Sequence, residues 1–161
     1  MQHGQFSFVA NFPLHGVPAH HYHGHIGQLP FTDLNAIVNP MVGVELKDGL
    51  IEDIYFTGQC SDRINQGEMI FDYDNLKLQV NSKKKKKRNW LLSDVGNLIV
   101  RHKSKKDKNG QSKAVSFYYE RPVYQGHIGF YLNGLLDGIM KNLLPNAIYK
   151  AAIKGMTPKA E

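Results

Sequence analysis

Residues 48–80, DGLIEDIYFTGQCSDRINQGEMIFDYDNLKLQV, decide the fold. Side chains of an extended chain alternate between two faces. Here Leu50, Ile54 and Phe56 fall on one face, with Glu52 the exception, while Asp53 and Thr57 fall on the other. Beyond a polar connection at 59–66, Met69, Phe71 and Tyr73 share one face and Glu68 and Asp72 share the other. Leu76, Leu78 and Val80 then carry the apolar character at even positions. That change of phase requires one inserted residue near Asp74-Asn75, as a bulge or a tight turn. Three one-sided strands in succession predict an antiparallel sheet with one apolar face. Cys60, the one cysteine, lies in the polar connection; it reads as a free surface thiol and leaves no disulfide within the chain.

Upstream, Asp48-Gly49 is a hairpin signal, joining a strand at 41–47 to the strand at 50–58. Phe6, Phe8, Ala10 and Phe12 alternate with Ser7 and Asn11 as a first strand, which Pro13, Gly16 and Pro18 break. In HHYHGHIGQ, residues 20–28, the imidazoles of His21, His23 and His25 fall on one face of a second strand. Imidazoles at i and i+2 suit a zinc or copper ion, with His20 or His15 as a further ligand. No carboxylate or cysteine nearby completes the set, so a solvent-facing strand surface is the plainer reading and no metal is assigned. Thr32 and Asp33, after Pro30, open a short helix near 32–39 that ends before Pro40 and plugs one end of the sheet.

Downstream, Lys83, Lys84, Lys85, Lys86, Lys87 and Arg88 form an unbroken cationic run in a flexible loop, 82–89, suited to an anionic surface. Trp90-Leu91-Leu92 anchors its far end. Residues 97–102 and 114–120 read as two more strands, joined across a second flexible basic loop, 103–113, by a turn at Asn109-Gly110. From Val123 the period becomes helical: Leu132, Leu135, Leu136, Ile139 and Leu143 form one stripe, and Asn133, Asp137 and Lys141 the opposite face. Pro145 ends this helix, 146–154 adds a weaker turn, and 156–161 is a frayed tail. The fold class is therefore mostly β (α+β): a curved antiparallel meander, the short helix, and an amphipathic C-terminal helix packed on or beside the apolar face.

With 161 residues, 42% of them apolar, the chain suits a single domain with a buried core. The net charge of +6 is uneven, because residues 83–113 hold 12 of the 20 Lys and Arg against two acids, Asp94 and Asp107. Such a region fits nucleic acid, with Trp90 as a stacking platform, or an anionic membrane, or water alone. Nucleic acid is the less favoured partner, since in a plain meander the two basic loops leave opposite ends of the sheet. No nucleophile elbow, phosphate-binding glycine loop, dinucleotide fingerprint, CxxC pair or HExxH helix is present, and Asp53, Asp72 and Asp74 sit at strand ends. A non-enzyme with no catalytic residues and no cofactor is expected. No run reaches the ~20 apolar residues that cross a bilayer. At face value that means the cytoplasm, but a strand opening so near Met1 suggests a piece of a longer protein.

The sequence resembles the C-terminal region of AsmA-like proteins, in particular those of Bacteroidetes-type Gram-negative bacteria. The resemblance rests on Asp48-Gly49, the strand leading to Gly67, Tyr73-Asp74-Asn75-Leu76-Lys77, the basic break, Asn97-Leu98-Ile99-Val100-Arg101, the aromatic strand ending at Glu120-Arg121, and a last helix with Gly134 and Gly138. It covers roughly residues 5–140 and leaves the histidines and the 83–88 run without counterpart. It implies a non-enzymatic envelope protein in the periplasm, held at the inner membrane by a helix outside this chain, whose apolar β-groove helps carry phospholipid toward the outer membrane. Phospholipid or a membrane surface, and the remainder of the parent chain, are the expected partners. The side chains expected to line the groove are Phe6, Phe8, Ile54, Phe56, Met69, Phe71, Leu76, Leu78, Phe117 and Tyr119; a sealed core needs the same ones, and would make the chain a structural β-domain that docks to other proteins.

Overall fold

Residues 44–80 make a single long hairpin. The computed structural model describes residues 4–13, 19–36, 39, 44–80, 100–147 and 149–150. In chain order its strands are β1 (Phe6–Asn11), β2 (His20–Ile26), β3 (Leu29–Pro30), β4 (Val44–Cys60), β5 (Ile64–Val80) and β6 (Val115–Glu120), and the long helix is α1 (His127–Leu143). Every pairing is antiparallel, in the order β1-β2-β4-β5-β6; β3 continues the register of β2 along β4. The sheet is open and curved, with α1 packed against it, which is the fold class that the alternating sequence predicts.

Asp48-Gly49 does not reverse the chain. It lies inside β4, where Gly49 takes φ +114° opposite Asn75 of β5, itself at φ +53°. The positive φ that a two-residue turn requires is used instead in a bulged stretch, with register shifts at Leu46/Asp48, Asp48/Leu50 and Ile51/Asp53. Asp48 holds it together: one carboxylate oxygen accepts from the Gly49 N–H at 2.8 Å, the other from Asn75 Nδ2 at 3.0 Å and Lys77 Nζ at 2.8 Å. The phase change at Asp74-Asn75 is thus a bulge, and Glu52, the exception in the alternation, marks another. The reversal lies at 61–63, where the Ser61 N–H donates to the Ile64 carbonyl at 2.8 Å. Because β4 runs through to Cys60 on its inner parity, Cys60 is fully buried and not a surface thiol.

Val100–His102 is not a strand within the described residues. It docks on the β5 bulge through a few bonds: the Leu76 N–H donates to the His102 carbonyl at 3.0 Å and the Ser104 N–H to that of Tyr73 at 3.0 Å. The turn at Asn109-Gly110 forms, with Gly110 at φ +77°. Residues 31–34 are a 3₁₀ turn, with helical geometry at 35, 36 and 39. Phe31 is buried there, edge-on to Tyr73, and the Asn35 amide pairs with both backbone groups of Leu46 at 2.8 Å, as a neighbouring strand would. The expected elements at 41–43, 82–89 with Lys83–Arg88, 90–92, 97–99 and 156–161 lie outside the described residues.

Helix α1 crosses β5 and β6 on the inner face, but not on the expected stripe. Its buried line is Phe130, Gly134 and Gly138 at steps of four, with Met140 and Asn142 also buried. Leu132 is half exposed, and Leu135, Ile139 and Leu143 flank the core. The polar row expected to face away lies along β6: Asp137 accepts from the Tyr118 N–H at 2.9 Å, and Lys141 donates to the Ser116 carbonyl at 3.1 Å. Small residues win the inner position because a Cβ at Gly134 would collide with the Asn65 amide, and one at Gly138 would lie 3.3 Å from Met69 and Phe117. Gly134→Ala should therefore destabilise by about 1–3 kcal/mol through overpacking. Gly129→Ala, facing only the end of the Gln125 side chain, should be stabilising by up to about 1 kcal/mol. Urea denaturation of the two variants checks the contrast.

Candidate functional site

Strand register assembles the inner face in rows. Phe6, Ile26, Ile54 and Phe71 form one row; Phe8, Gly24, Phe56, Met69 and Val115 the next; Ala10, Tyr22, Gly58, Gly67 and Phe117 the third. Each glycine lies under a ring from a neighbouring strand: a Cβ at Gly24 would strike Phe56, one at Gly58 Tyr22, and one at Gly67 would come 2.6 Å from Phe117. The rings therefore lie flat across the sheet, so α1 can settle close to it.

Of the ten residues expected to line a groove or core, Ile54, Phe56, Met69, Phe71, Leu76 and Phe117 are buried in one cluster, and Leu78 and Tyr119 pack half-buried against it. Phe6 and Phe8 are different: they are 68% and 40% exposed, and Phe12, on the same side of the chain, is 64% exposed. Phe8 still touches the core, with ring centroids 5.7 Å from Tyr22, 6.3 Å from Phe56 and 6.0 Å from Tyr131 of α1. The apolar face is thus sealed under the helix and open along β1. Ile128 and Leu132, 76% and 52% exposed, add apolar surface on α1. Sequence reading missed Tyr22, Ile51, Cys60 and Phe130 as core. The signal for Tyr22 was present, since it alternates with the histidines and shares the parity of Ile26.

A buried polar link ties the helix to the sheet at the border of the open strip. Tyr22 Oη donates to Asn65 Oδ1 at 2.6 Å, and Asn65 Nδ2 donates to the Phe130 carbonyl at 3.1 Å. Burial, with Cys60 and Tyr131 adding and the Asn65 bond opposing, raises the Tyr22 pKa; burial pushes the Cys60 thiol up to about 11, so it stays protonated and inert. His20 stacks on Phe12 at 4.7 Å and hydrogen-bonds the Tyr131 hydroxyl.

Burial, then His127 and His21, lower the His20 pKa below its ordinary 6.5. The folded chain thus resists a proton that the unfolded chain takes up. This contribution to stability is complete above pH 6.5 and is lost as pH falls below it. Chemical denaturation between pH 7.5 and 5 should show stability falling in wild type, with a flatter profile in His20→Gln.

The outer face mixes polar side chains with exposed Val9, Tyr55, Ile70 and Tyr118. His21 and His23 are exposed, while His25 stacks on Tyr55 at 4.3 Å and hydrogen-bonds Asp53. His21, His23 and His25 thus share a face, as expected, but among the described residues no group of three or more His, Cys, Asp or Glu is placed to hold a metal ion. Four described cations of the basic region, Arg101, Lys103, Lys105 and Lys106, have protein acceptors, while Lys108 and Lys113 are exposed. Lys106 pairs with Asp72 at 2.8 Å and Lys103 with Asp74 at 3.1 Å. Arg101 donates to the Asn142 carbonyl at 3.1 Å and to that of Leu144, and Lys105 to that of Lys141 at 2.9 Å, where the helix dipole favours positive charge. Burial opposes ionisation of Asp72, but the bonds from Lys106 and Ser104 outweigh it and hold its pKa below the ordinary value. No protein-family model, curated protein or solved structure matches the chain.

Proposed function

We propose that this chain is a non-enzymatic, lipid-handling segment of a cell-envelope protein, and that phospholipid acyl chains lie along the open strip of its inner face. One observation carries the reading: Phe6, Phe8 and Phe12 continue the core's aromatic surface to the sheet margin, yet are left substantially exposed. An uncovered apolar strip beside a complete core is costly in water and marks a surface that meets another apolar body. Fully burying one such ring contributes on the order of 1.5–3 kcal/mol. Acyl chains suit the strip because no charged residue lies between Gly4 and Pro13. The AsmA-like resemblance supports the envelope setting and a periplasmic position. Among the described residues no helix is long and apolar enough to cross a membrane, so on this reading the strip touches lipid without the described helix spanning it.

Nucleic acid is the weaker reading, because Arg101, Lys103, Lys105 and Lys106 are already bound to acceptors within the chain. Native mass spectrometry of gently purified protein, followed by lipid extraction, should find phospholipid. A Phe6→Asp, Phe12→Asp variant, altered only at exposed rings, should keep its far-ultraviolet circular dichroism and lose the lipid. Lipid-free wild type that also fails to bind vesicles of phosphatidylethanolamine and phosphatidylglycerol would overturn the proposal.

A further inference from the structure

The two margins of the sheet are built differently. The Arg121 N–H donates to the Arg63 carbonyl at 2.7 Å, so by the alternation of an antiparallel ladder Ser116 and Tyr118 turn their backbone groups away from β5. Helix α1 takes both: Asp137 accepts from the Tyr118 N–H, and Lys141 donates to the Ser116 carbonyl. Asp137 and Lys141 also pair with each other at 2.7 Å, which fixes them in place. That edge is thus partly capped by helix side chains, through one backbone group of each residue.

On β1, the Gly27 N–H donates to the Gln5 carbonyl at 2.7 Å, so Ser7, Val9 and Asn11 face β2 with their backbone groups, while Phe6, Phe8 and Ala10 face outward. Among the described residues nothing bonds those outward groups. The strand also lacks the usual protections of an edge. Phe6–Asn11 contains no charge and no proline, and its register with β2 is unbroken over six pairs.

We propose that the free edge of β1 is a strand-addition site. Its occupant is an extended polypeptide segment, uncharged over the paired stretch and apolar at every second residue. Main-chain bonds to Phe6, Phe8 and Ala10 supply the pairing. The alternate apolar side chains of the incoming strand fall beside Phe6 and Phe8 on the inner face, where the ring edges are exposed, and its other side chains fall beside Ser7 and Val9. A charged residue on the inner side would be desolvated without a partner, which is why the occupant is uncharged there. The sheet then continues past β1, and so does its apolar inner face. This goes beyond the lipid reading and stands without it.

The probe is a synthetic peptide of alternating valine and threonine with a lysine at each end, added to the full chain. Amide hydrogen exchange is read by nuclear magnetic resonance. Without peptide, the Phe6, Phe8 and Ala10 amides should exchange fast and those of Ser7, Val9 and Asn11 slowly. With peptide, the first three should slow by about tenfold or more. Ala10→Pro removes one outward N–H, leaves the β1–β2 ladder and every phenylalanine ring in place, and should abolish the effect. Because the rings remain, lipid binding should survive in Ala10→Pro, so the two proposals fail separately. Unchanged exchange at saturating peptide, or equal slowing in Ala10→Pro, would overturn the inference. So would outward amides already protected in the free chain by self-association, which would make the occupant a second copy.

Discussion

Everything else in the molecule follows from how closely α1 approaches the sheet over Asn65. A glycine at 134 lets the helix backbone come down onto this side chain, and Asn65 is then satisfied twice, accepting from Tyr22 and donating to Phe130. A fully buried amide left with either bond unmade would cost about 1–3 kcal/mol. The link therefore specifies where the helix begins as much as it stabilises the contact. At the other end Arg101 gathers the last carbonyls of the helix. With both ends fixed, rotation of α1 is fixed too, and its glycine line comes closest to the sheet, with Leu135, Ile139 and Leu143 of the leucine stripe flanking the core.

That rotation divides the apolar surface. Under the helix lies a core of flat-lying rings, where a lipid has no place. Beyond Tyr131 the helix no longer covers the sheet, and the same aromatic face continues outward on β1. The rotation also places Asp137 and Lys141 along β6, capping part of one edge, and among the described residues the outward main-chain groups of the opposite edge have no bond. Open strip and open edge thus meet on the same strand. The proposed lipid contact draws on the rings of β1 and the proposed sheet extension on its main chain, so the two rest on separate features of one strand.

Much of this was legible in the residues. Alternation at 50–58 and 69–80 identified the hairpin strands and the inner side chains Ile54, Phe56, Met69, Phe71 and Leu76. The insertion at Asp74-Asn75 was legible as a bulge or a tight turn, and Glu52 as an exception whose bulge only the register with β5 reveals. What misled was local chemistry with two uses. Asp48-Gly49 offers the positive φ of a turn, but a bulge requires the same angle, and only pairing with β5 decides between them. The leucine stripe of α1 carries the greatest local apolarity, yet helix–sheet distance, a tertiary quantity, selects the small residues instead. Cys60 looked exposed because its neighbours in sequence are polar, although its parity along β4 places it inside. The open edge could not be read at all, since it depends on which strand lacks a neighbour.

The division of the apolar face is tested most directly by paramagnetic relaxation, with phospholipid vesicles carrying a nitroxide on the acyl chain. Phe6, Phe12, Ile128 and Leu132 should broaden strongly, while Met69, Phe71 and Phe117, behind the helix, should keep their line widths. Broadening of the buried set, or none along β1, would contradict the account.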